Sequence, residues 1–235
     1  MLFYKNYQTL AEALISLTNT VMTDGEIVES PDWNTRRIEL PAVFTVENPL
    51  DQRFVPKATI CNDASLFSYV NEILNGTMDD AVESGLEAYT YHSRMVFPVD
   101  QIEYCAEELK RNLNSNRAVI TIRHPEDNKV EDQPCLQLVQ FKVYSGRLNM
   151  TTFWRSRDLF KALYMNCFAL IRLGVEISEA IQLPFGIYTD HSEGLHIYER
   201  DWNQAKQIQN LSFSDAIISA DDFWIDFTNP YDTIG

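Results

Sequence analysis

Residues 134–158 read PCLQLVQFKVYSGRLNMTTFWRSRD, and this stretch carries both a strand pattern and a concentration of reactive side chains. The two runs Cys135 to Val143 and Leu148 to Trp154 have the composition of β-strands. Between them, Tyr144-Ser145-Gly146-Arg147 contains the glycine that a tight hairpin turn uses. The stretch therefore predicts an antiparallel hairpin that starts at a cysteine and ends at an arginine.

Outside the hairpin, the sequence predicts helices and strands in mixed order. Helices are expected over residues 8–22, 64–75 and 100–112, and a further helix is expected after Asp158, whose carboxylate is placed to cap it. Strands are expected over residues 37–47, 117–122, 185–189 and 195–198, and residues 123–133 are expected to form a loop. The length of 235 residues fits a single mixed domain spanning residues 1–235.

Composition narrows the classes of ligand. The chain is 45% hydrophobic and 12% aromatic, as is ordinary for a folded protein, and its formal net charge is −15. An acidic surface repels the phosphate backbone of nucleic acids, so no nucleic-acid polymer is expected as a partner. One pocket can still gather a few arginines, which leaves a small anionic ligand possible.

The chain shows no targeting signal and no metal motif. The first residues lack a basic segment followed by an apolar run, and no window reaches eighteen uninterrupted apolar residues. The four cysteines, Cys61, Cys105, Cys135 and Cys167, form no CxxC pair and have no histidine at metal-ligand spacing. We expect a cytoplasmic protein with free thiols, no membrane contact and no metal.

Cys135 and Arg155 each have two interpretations. A cysteine in an apolar strand is more often a small buried hydrophobe than a nucleophile, and a lone arginine is more often part of a surface ion pair. Converging arginines favour the other interpretation, because positive charge lowers a thiol pKa and makes the nucleophilic thiolate available.

The span from Asp100 to Trp202 resembles thymidylate synthase, and it is most similar to the shorter archaeal form of that enzyme. The motifs that carry the resemblance are Tyr89-Thr90-Tyr91, Asp100-Gln101-Ile102, Ser115-Asn116-Arg117-Ala118, Pro134-Cys135-Leu136-Gln137, Gly146-Arg147-Leu148-Asn149-Met150, Arg155-Ser156-Arg157-Asp158, Asn166 and His196-Ile197-Tyr198-Glu199-Arg200-Asp201-Trp202. Their shared order and spacing are more specific than any one motif.

The resemblance implies a catalytic group of four residues. Cys135 corresponds to the nucleophile that attacks carbon 6 of a uracil base, which makes carbon 5 nucleophilic toward a one-carbon unit. Tyr91 corresponds to a tyrosine that relays protons, and Asp158 to a carboxylate that contacts the pterin ring. Glu72 is the best-placed candidate for the general base.

The resemblance also implies a nucleotide site. Arg155 and Ser156 correspond to residues that bind the phosphate, and Arg117 to an arginine donated by the other subunit of a homodimer. Asn166 corresponds to the asparagine that reads the pyrimidine edge, where an amide suits uracil and an acidic residue would suit cytosine. His196 and Tyr198 correspond to the pair that binds the sugar 3′-hydroxyl.

Fold, cofactor and partners follow from the same resemblance. The expected fold is a thymidylate synthase-like α/β sandwich with a large mixed sheet, which pairs sheet to sheet with a second copy to make a homodimer. The expected carbon donor is methylene-tetrahydrofolate or a related reduced pterin, with a methanopterin type possible. The expected substrate is deoxyuridylate or a related pyrimidine nucleotide.

Several positions depart from the family pattern. The adjacent phosphate arginines become Asn116-Arg117, Arg36 and Arg37 lie out of register with the N-terminal arginine loop, and the general-base glutamate has no secure match. His92 and Lys161-Ala162 replace positions that commonly carry glycine. Three functions therefore remain open: methylation of deoxyuridylate to thymidylate, hydroxymethylation of dUMP or dCMP through the same cysteine adduct, and nucleotide binding without turnover.

Overall fold

The computed structural model of the protein describes residues 2–51, 55–56, 63–209 and 217–218. The helices are α1 (Leu10–Asp24), α2 (Asp63–Asn75), α3 (Asp79–Glu83), α4 (Tyr91–Val96), α5 (Gln101–Arg111), α6 (Leu163–Ala180) and α7 (Trp202–Gln209). The strands are β1 (Phe3–Tyr7), β2 (Glu26–Ser30), β3 (Thr35–Val46), β4 (Val55–Pro56), β5 (Val119–Thr121), β6 (Leu136–Tyr144), β7 (Arg147–Trp154), β8 (Arg157–Asp158), β9 (Phe185–Tyr198) and β10 (Ile217–Ile218). Short 3₁₀ turns occupy Pro31–Trp33, Pro125–Lys129 and Glu199–Asp201.

Eight strands form one mixed sheet. Its order is β1-β3-β9-β7-β6-β5, with β2 paired to β3 and β8 paired to β9. The β1–β3, β7–β9 and β8–β9 pairs are parallel, and the other pairs are antiparallel. The predicted α/β architecture with a large mixed sheet is therefore confirmed.

One face of the sheet carries the hydrophobic core. Helices α1 and α6 pack on β3, β7 and β9, and α2 packs against α6. The even-numbered residues of β3 from Ile38 to Val46 point into this core, as the two-residue period of a strand requires. On the opposite face, a polar groove is lined by Thr45, Asn116, Gln140, Lys142, Tyr144, Asn149, Thr151, Ile187 and Thr189.

The hairpin of β6 and β7 forms as the sequence predicts. Ser145 and Gly146 both adopt positive φ angles, of 51° and 71°, which is the backbone conformation of a type I′ turn. This turn matches the twist of the two strands and fixes their register, with Phe141 opposite Met150 in the core. The register places the start of β6 and the end of β7 side by side.

The other predicted helices and strands are present, with two differences. The strands predicted over 185–189 and 195–198 are a single strand, β9, interrupted by a bulge where Leu40 pairs with Leu195 but Ala42 pairs with Ser192. The predicted loop over 123–133 contains a 3₁₀ turn. Cys61 lies outside the described residues.

The predicted capping role of Asp158 is wrong. Helix α6 starts at Leu163, and its N-cap residue, Ala162, makes no side-chain cap. The Asp158 carboxylate instead accepts hydrogen bonds from the backbone N–H groups of Phe160 and Lys161, at 3.1 and 3.0 Å. Asp158 stabilises the turn that leads into the helix, because the chain makes one more turn before the helix starts.

Candidate active site

A cleft of about 540 Å³ lies where the start of β6, the end of β7 and the first turn of α6 face α2 and the N-terminus of α4. Six of the ten predicted site residues line it together: Glu72, Tyr91, Cys135, Ser156, Asp158 and Asn166. The remaining cleft residues are Tyr69, Glu87, Ala88, Tyr89, Thr90, Asp132, Trp154, Arg157 and Ala162. Residues distant in the chain thus meet in one concave surface, as a small-molecule site requires.

Cys135 immediately precedes β6 and is held by the neighbouring strand. Its carbonyl oxygen accepts a hydrogen bond from the backbone N–H of Arg155 at 3.0 Å. The Arg155 guanidinium donates from Nε to the carbonyl of Pro134 at 2.9 Å and from Nη2 to the carbonyl of Gln133 at 2.5 Å. Arg155 therefore lies at the exposed rim and braces the segment that carries the thiol.

Among the cysteines that the structure describes, Cys135 alone is partly accessible. Cys105 and Cys167 are fully buried, and burial raises the pKa of each thiol to about 12. Burial also raises the pKa of Cys135, and Asp132 and Asp158 add to this, while Arg155 and Arg157 act in the opposite direction. Two arginines thus favour the thiolate, but burial has the larger effect.

Asn166 is in the first turns of α6 and is 8% exposed. Its Nδ2 donates a hydrogen bond to the hydroxyl of Tyr69, on α2. This contact uses one amide hydrogen. The second amide hydrogen and the carbonyl oxygen are the donor and acceptor that a pyrimidine edge needs.

Tyr91 is the first residue of α4, where a capping box between Thr90 and Ser93 fixes the start of the helix. Its ring packs edge to face on Trp154, with ring centroids 5.9 Å apart. Burial raises the pKa of Tyr91 well above its ordinary value, against a backbone hydrogen bond from Leu136. The hydroxyl thus stays protonated next to Leu136, the residue that follows Cys135.

Glu72 lies on α2 and borders the same cleft. Burial, followed by the nearby carboxylates of Asp79 and Glu87, raises the pKa of Glu72 above its ordinary value. A carboxyl group with a raised pKa can exchange protons closer to neutral pH than an exposed one. Its position fits the candidate general base.

His196 and Tyr198 lie past the β9 bulge, and the bulge decides which way they face. Before it, the even-numbered residues Tyr188 and Asp190 point into the core; after it, the odd-numbered residues do. His196 and Tyr198 therefore share the other face, and their rings meet edge to face at 4.6 Å. The strand-face pair expected from the sequence is present, directly beside Asp158 in the β8 pairing.

The protonation of His196 follows from its surroundings. Nδ1 lies 2.9 Å from the carbonyl oxygen of Gly194, which can only accept, so Nδ1 carries the proton. Burial is the largest influence and lowers the pKa of His196, although the Gly194 hydrogen bond and the Asp158 carboxylate act in the opposite direction. The ring is thus neutral, and its buried Nε2 is an acceptor with no partner among the described residues.

Arg117 does not reach this cleft. It is exposed at the entry to β5, and its backbone N–H bonds to the Ser115 hydroxyl. Arg36 and Arg37 are engaged by carboxylates, Arg36 with Glu199 and Arg37 with Glu39. Ser156 lines the cleft beside Arg155.

Sequence reasoning did not assign four prominent cleft residues: Tyr69, Tyr89, Trp154 and Arg157. Tyr89 was quoted only as part of a motif, and Arg157 only as the residue between Ser156 and Asp158. The signal for Tyr69 was its position one helical turn before Glu72, on the same face of α2. Nothing in the sequence indicated that the charged side chain of Arg157 points inward.

Within the described ranges, no cluster of three or more histidine, cysteine, aspartate or glutamate side chains is arranged to hold a metal ion. None of the helices in those ranges has the length and apolar character needed to cross a membrane.

Comparisons with known proteins identify a family model and several relatives that match this chain. A family model described as thymidylate synthase matches residues 70–217, more than half of the chain. A protein of Methanocaldococcus jannaschii is 31% identical over 213 residues, which cover 85% of this chain and 92% of that protein. A protein of Methanosarcina barkeri is 28% identical, and the match covers 86% of this chain and 92% of that protein. A protein of Methanothermobacter marburgensis is 29% identical, and the match covers 85% of this chain and 94% of that protein. All three are named "putative thymidylate synthase".

The eight-stranded mixed sheet and its helical layer have the architecture of an α/β one-carbon transferase. The chain belongs to the thymidylate synthase family.

Proposed function

We propose that the protein transfers a one-carbon unit from a reduced pterin to carbon 5 of deoxyuridylate and forms thymidylate. The observation that carries the proposal is the meeting of Cys135, Asn166, Asp158 and Tyr91 in one cleft. These residues come from four separate segments of the chain. Their types match the steps that the reaction requires: attack, base recognition and proton handling.

In this proposal, Cys135 attacks carbon 6 of the uracil ring as a thiolate. The new S–C bond moves the electron pair of the 5,6 double bond toward carbon 5 and the O4 carbonyl, so carbon 5 becomes nucleophilic. Attack requires the thiolate and a close approach. The partial exposure of Cys135 and the two arginines that favour its anion support this role.

Asn166 reads the base. Its second amide hydrogen can donate to O4 of uracil, and its carbonyl oxygen can accept from N3–H. Tyr69 limits the freedom of this amide through their hydrogen bond. A buried amide that is already oriented discriminates better than a mobile one, because little side-chain entropy is lost on binding.

The sugar and the phosphate extend from the cleft toward its rim. The unpartnered Nε2 of His196 can accept a hydrogen bond from the sugar 3′-hydroxyl, and Tyr198 lies next to it. Arg155 and Ser156 provide cationic and hydroxyl donors for the phosphate, once the guanidinium turns from its carbonyl partners.

A homodimer completes the phosphate site in this proposal. Arg117 is exposed and lies outside its own cleft, so it is available to a second copy. The polar groove lies on the sheet face opposite the helical layer, where a second sheet would pack.

The cleft has the side chains that suit a reduced pterin. Trp154, Tyr89 and Tyr91 provide apolar ring faces, and the Asp158 carboxylate can accept from the N–H groups of a pterin ring. When bound, the pterin supplies the carbon as an electrophilic methylene and, for methylation, a hydride. Glu72, Tyr69 and Tyr91 hold protons in the same cleft, since burial raises the pKa of all three.

Hydroxymethylation is the second candidate, and the composition of the helical side of the cleft favours it. Glu72, Glu87, Tyr69 and Tyr89 present protic groups around the same space. Such a lining can hold a water molecule, and water instead of hydride would complete a hydroxymethyl product. Both reactions start from the same adduct.

One product assay separates the candidates. The purified protein is mixed with deoxyuridylate and methylene-tetrahydrofolate, and the products are identified by mass. Thymidylate with dihydrofolate supports methylation, and a hydroxymethyl nucleotide with tetrahydrofolate supports the second candidate; dCMP is tested in parallel. No product with folate or methanopterin carriers, and no release of tritium from carbon 5, contradicts both and leaves nucleotide binding without turnover.

A further inference from the structure

Arg157 is a charged side chain in the protein interior. It is 1% exposed and lines the floor of the cleft that contains Cys135. A buried arginine is uncommon, since the guanidinium loses its hydration and must be compensated by partners.

Core residues hold the guanidinium in place. Nη2 lies 3.0 Å from the Cys167 sulfur, 3.4 Å from the carbonyl oxygen of Leu163 and 3.5 Å from Oδ2 of Asp190. The guanidinium carbon is stacked 3.4 Å from the centroid of the Trp154 ring. These contacts leave the group almost no freedom to turn.

The Asp190 side chain is itself held in place by neighbouring hydroxyl groups. Its carboxylate accepts hydrogen bonds from the hydroxyls of Tyr188 at 2.7 Å, Thr152 at 3.2 Å and Ser192 at 2.5 Å. Because this fully buried carboxylate is shared between three neutral donors and Arg157, it offsets the charge of Arg157 only in part. The 3.5 Å separation is long for a charge-assisted hydrogen bond.

Two other nitrogens of the guanidinium lack partners. Nε and Nη1 of Arg157 are buried and donate to no hydrogen-bond acceptor among the described residues. Leaving two donors of a charged group unsatisfied costs stability, so a fold that tolerates this has another use for the charge. The two arginines near the thiol differ here, because Arg155 is exposed and screened by solvent, whereas Arg157 is enclosed.

The charges around Cys135 come from several elements. Arg155 and Arg157 favour its thiolate, and Asp132 and Asp158 oppose it. The titratable hydroxyls that interact with it belong to Tyr89, Tyr91 and Tyr198. Arg157 is the one enclosed cation in this described set, and Asp190 is not among the largest influences on the thiol.

We propose that Arg157 is a positioning residue for the thiol chemistry: clamped by Asp190, Cys167 and Trp154, it supplies a fixed internal positive charge that stabilises the Cys135 thiolate. Arg155 is then free to leave the thiol and bind the phosphate without loss of the activated nucleophile. The inference rests on the proposed function only in naming Cys135 as the nucleophile.

Alkylation of Cys135 by iodoacetamide tests the charge effect without nucleotide or pterin. The thiolate sulfur forms a bond to carbon as iodide leaves, so the rate follows the thiolate fraction. The rate is measured against pH and assigned to Cys135 by peptide mass. Arg157→Gln should raise the pH midpoint by about one unit, which is roughly tenfold slower alkylation below the midpoint, while Arg157→Lys should restore most of the shift.

A matched control separates charge from damage. Arg94 also pairs with a buried carboxylate, Asp127, but it is not among the largest influences on Cys135. Arg94→Gln should therefore leave the midpoint unchanged. An unchanged midpoint in folded Arg157→Gln, or an equal shift in Arg157→Lys, overturns the inference.

Asp190→Asn gives a result of opposite sign and covers the case in which Arg157→Gln does not fold. Removing this counter-charge should lower the Cys135 midpoint, whereas loosening of the core would not favour a thiolate. A midpoint that stays constant or rises in Asp190→Asn overturns the inference. Failure of one-carbon transfer would leave all these midpoints intact, so the proposed function and this inference fail separately.

Discussion

The cleft has two walls that are built in different ways. The nucleophile wall consists of Cys135, Ser156, Asp158 and Asn166, and the helical wall consists of Tyr69, Glu72, Tyr89 and Tyr91. Backbone contacts of the sheet hold the segment of the first wall that carries Cys135, such as the bond from the Arg155 N–H to the Cys135 carbonyl, and α6 carries Asn166. Side chains that project from α2 and from the start of α4 form the second.

The two walls also differ in the charge state that their surroundings favour. Two arginines act on the nucleophile wall and favour an anion at Cys135. On the helical wall, burial raises the pKa of Tyr69, Tyr89, Tyr91 and Glu72, which favours protonated, neutral groups. Under the proposed function, this difference would assign attack to one side and proton supply to the other.

Replacing the nucleophile should have the largest effect. Cys135→Ser should lower kcat by at least about 10³-fold, because a serine hydroxyl is a far weaker nucleophile without a strong base, while nucleotide affinity changes only a few-fold. Turnover and calorimetric binding measure the two effects. Cys105→Ala is the matched control, since this thiol is buried outside the cleft, and it should retain turnover. Full activity in Cys135→Ser would remove the nucleophile wall from the mechanism.

Changing the base-reading amide should have the next largest effect. Asn166→Asp should reduce kcat/KM for deoxyuridylate by about 10²-fold, because a carboxylate cannot donate to O4, and it should favour cytosine in relative terms. The ratio of kcat/KM for dUMP and dCMP measures this. Asn203→Asp makes the same chemical change on exposed residue 203 of α7 and should leave the ratio unaltered. An unchanged ratio in Asn166→Asp would show that base reading belongs elsewhere.

Sequence reasoning succeeded where contacts are local. The hairpin, its turn and the segment from Cys135 to Asn166 follow from two-residue and helical periods and from motifs a few residues apart. The direction of His196 was harder, because a one-residue bulge between Ser192 and Leu195 reverses the faces of β9. Spacing along one strand does not reveal such a bulge, which depends on the partner strand.

Long-range contacts explain what the sequence left undecided. Tyr69 and Asn166 are hydrogen-bonded although they are 97 residues apart in the sequence. Arg157 and Asp190 likewise form an ion pair between two different strands. Asp158 was misassigned as a helix cap because one extra turn separates it from α6. Burial of a charge such as Arg157 depends on the assembled core, and no local pattern specifies it.

A change of the candidate base tests the helical wall. Glu72→Gln should lower kcat by about tenfold, because a positioned acid or base contributes one to a few orders of magnitude. It should also raise Tm slightly at neutral pH. A raised pKa means that folded Glu72 holds its proton more tightly than the unfolded chain does, so its contribution to stability is full at low pH and is lost as pH rises through the raised pKa.

Glu176→Gln separates the two readouts for Glu72. Partial burial also raises the pKa of Glu176, on α6, but Glu176 is more exposed than Glu72 and does not line the cleft. Its replacement should therefore give a smaller gain in Tm at neutral pH than Glu72→Gln, with no gain in acid, and should leave kcat unchanged. Equal kcat in Glu72→Gln and wild type would show that Glu72 is only a buried acid.

The contact between the two walls should have the smallest effect. Tyr69→Phe removes the hydroxyl that accepts from Asn166 and leaves the ring in place. One hydrogen bond of about 1 kcal/mol corresponds to a rise in KM of about three- to tenfold, with a smaller change in kcat. Tyr7→Phe, which removes a similar hydroxyl contact to Ser16 away from the cleft, should leave KM constant. If Tyr69→Phe changes kcat more than KM, then Tyr69 acts in proton transfer, and the helical wall takes part in the chemistry as well as in orienting the amide.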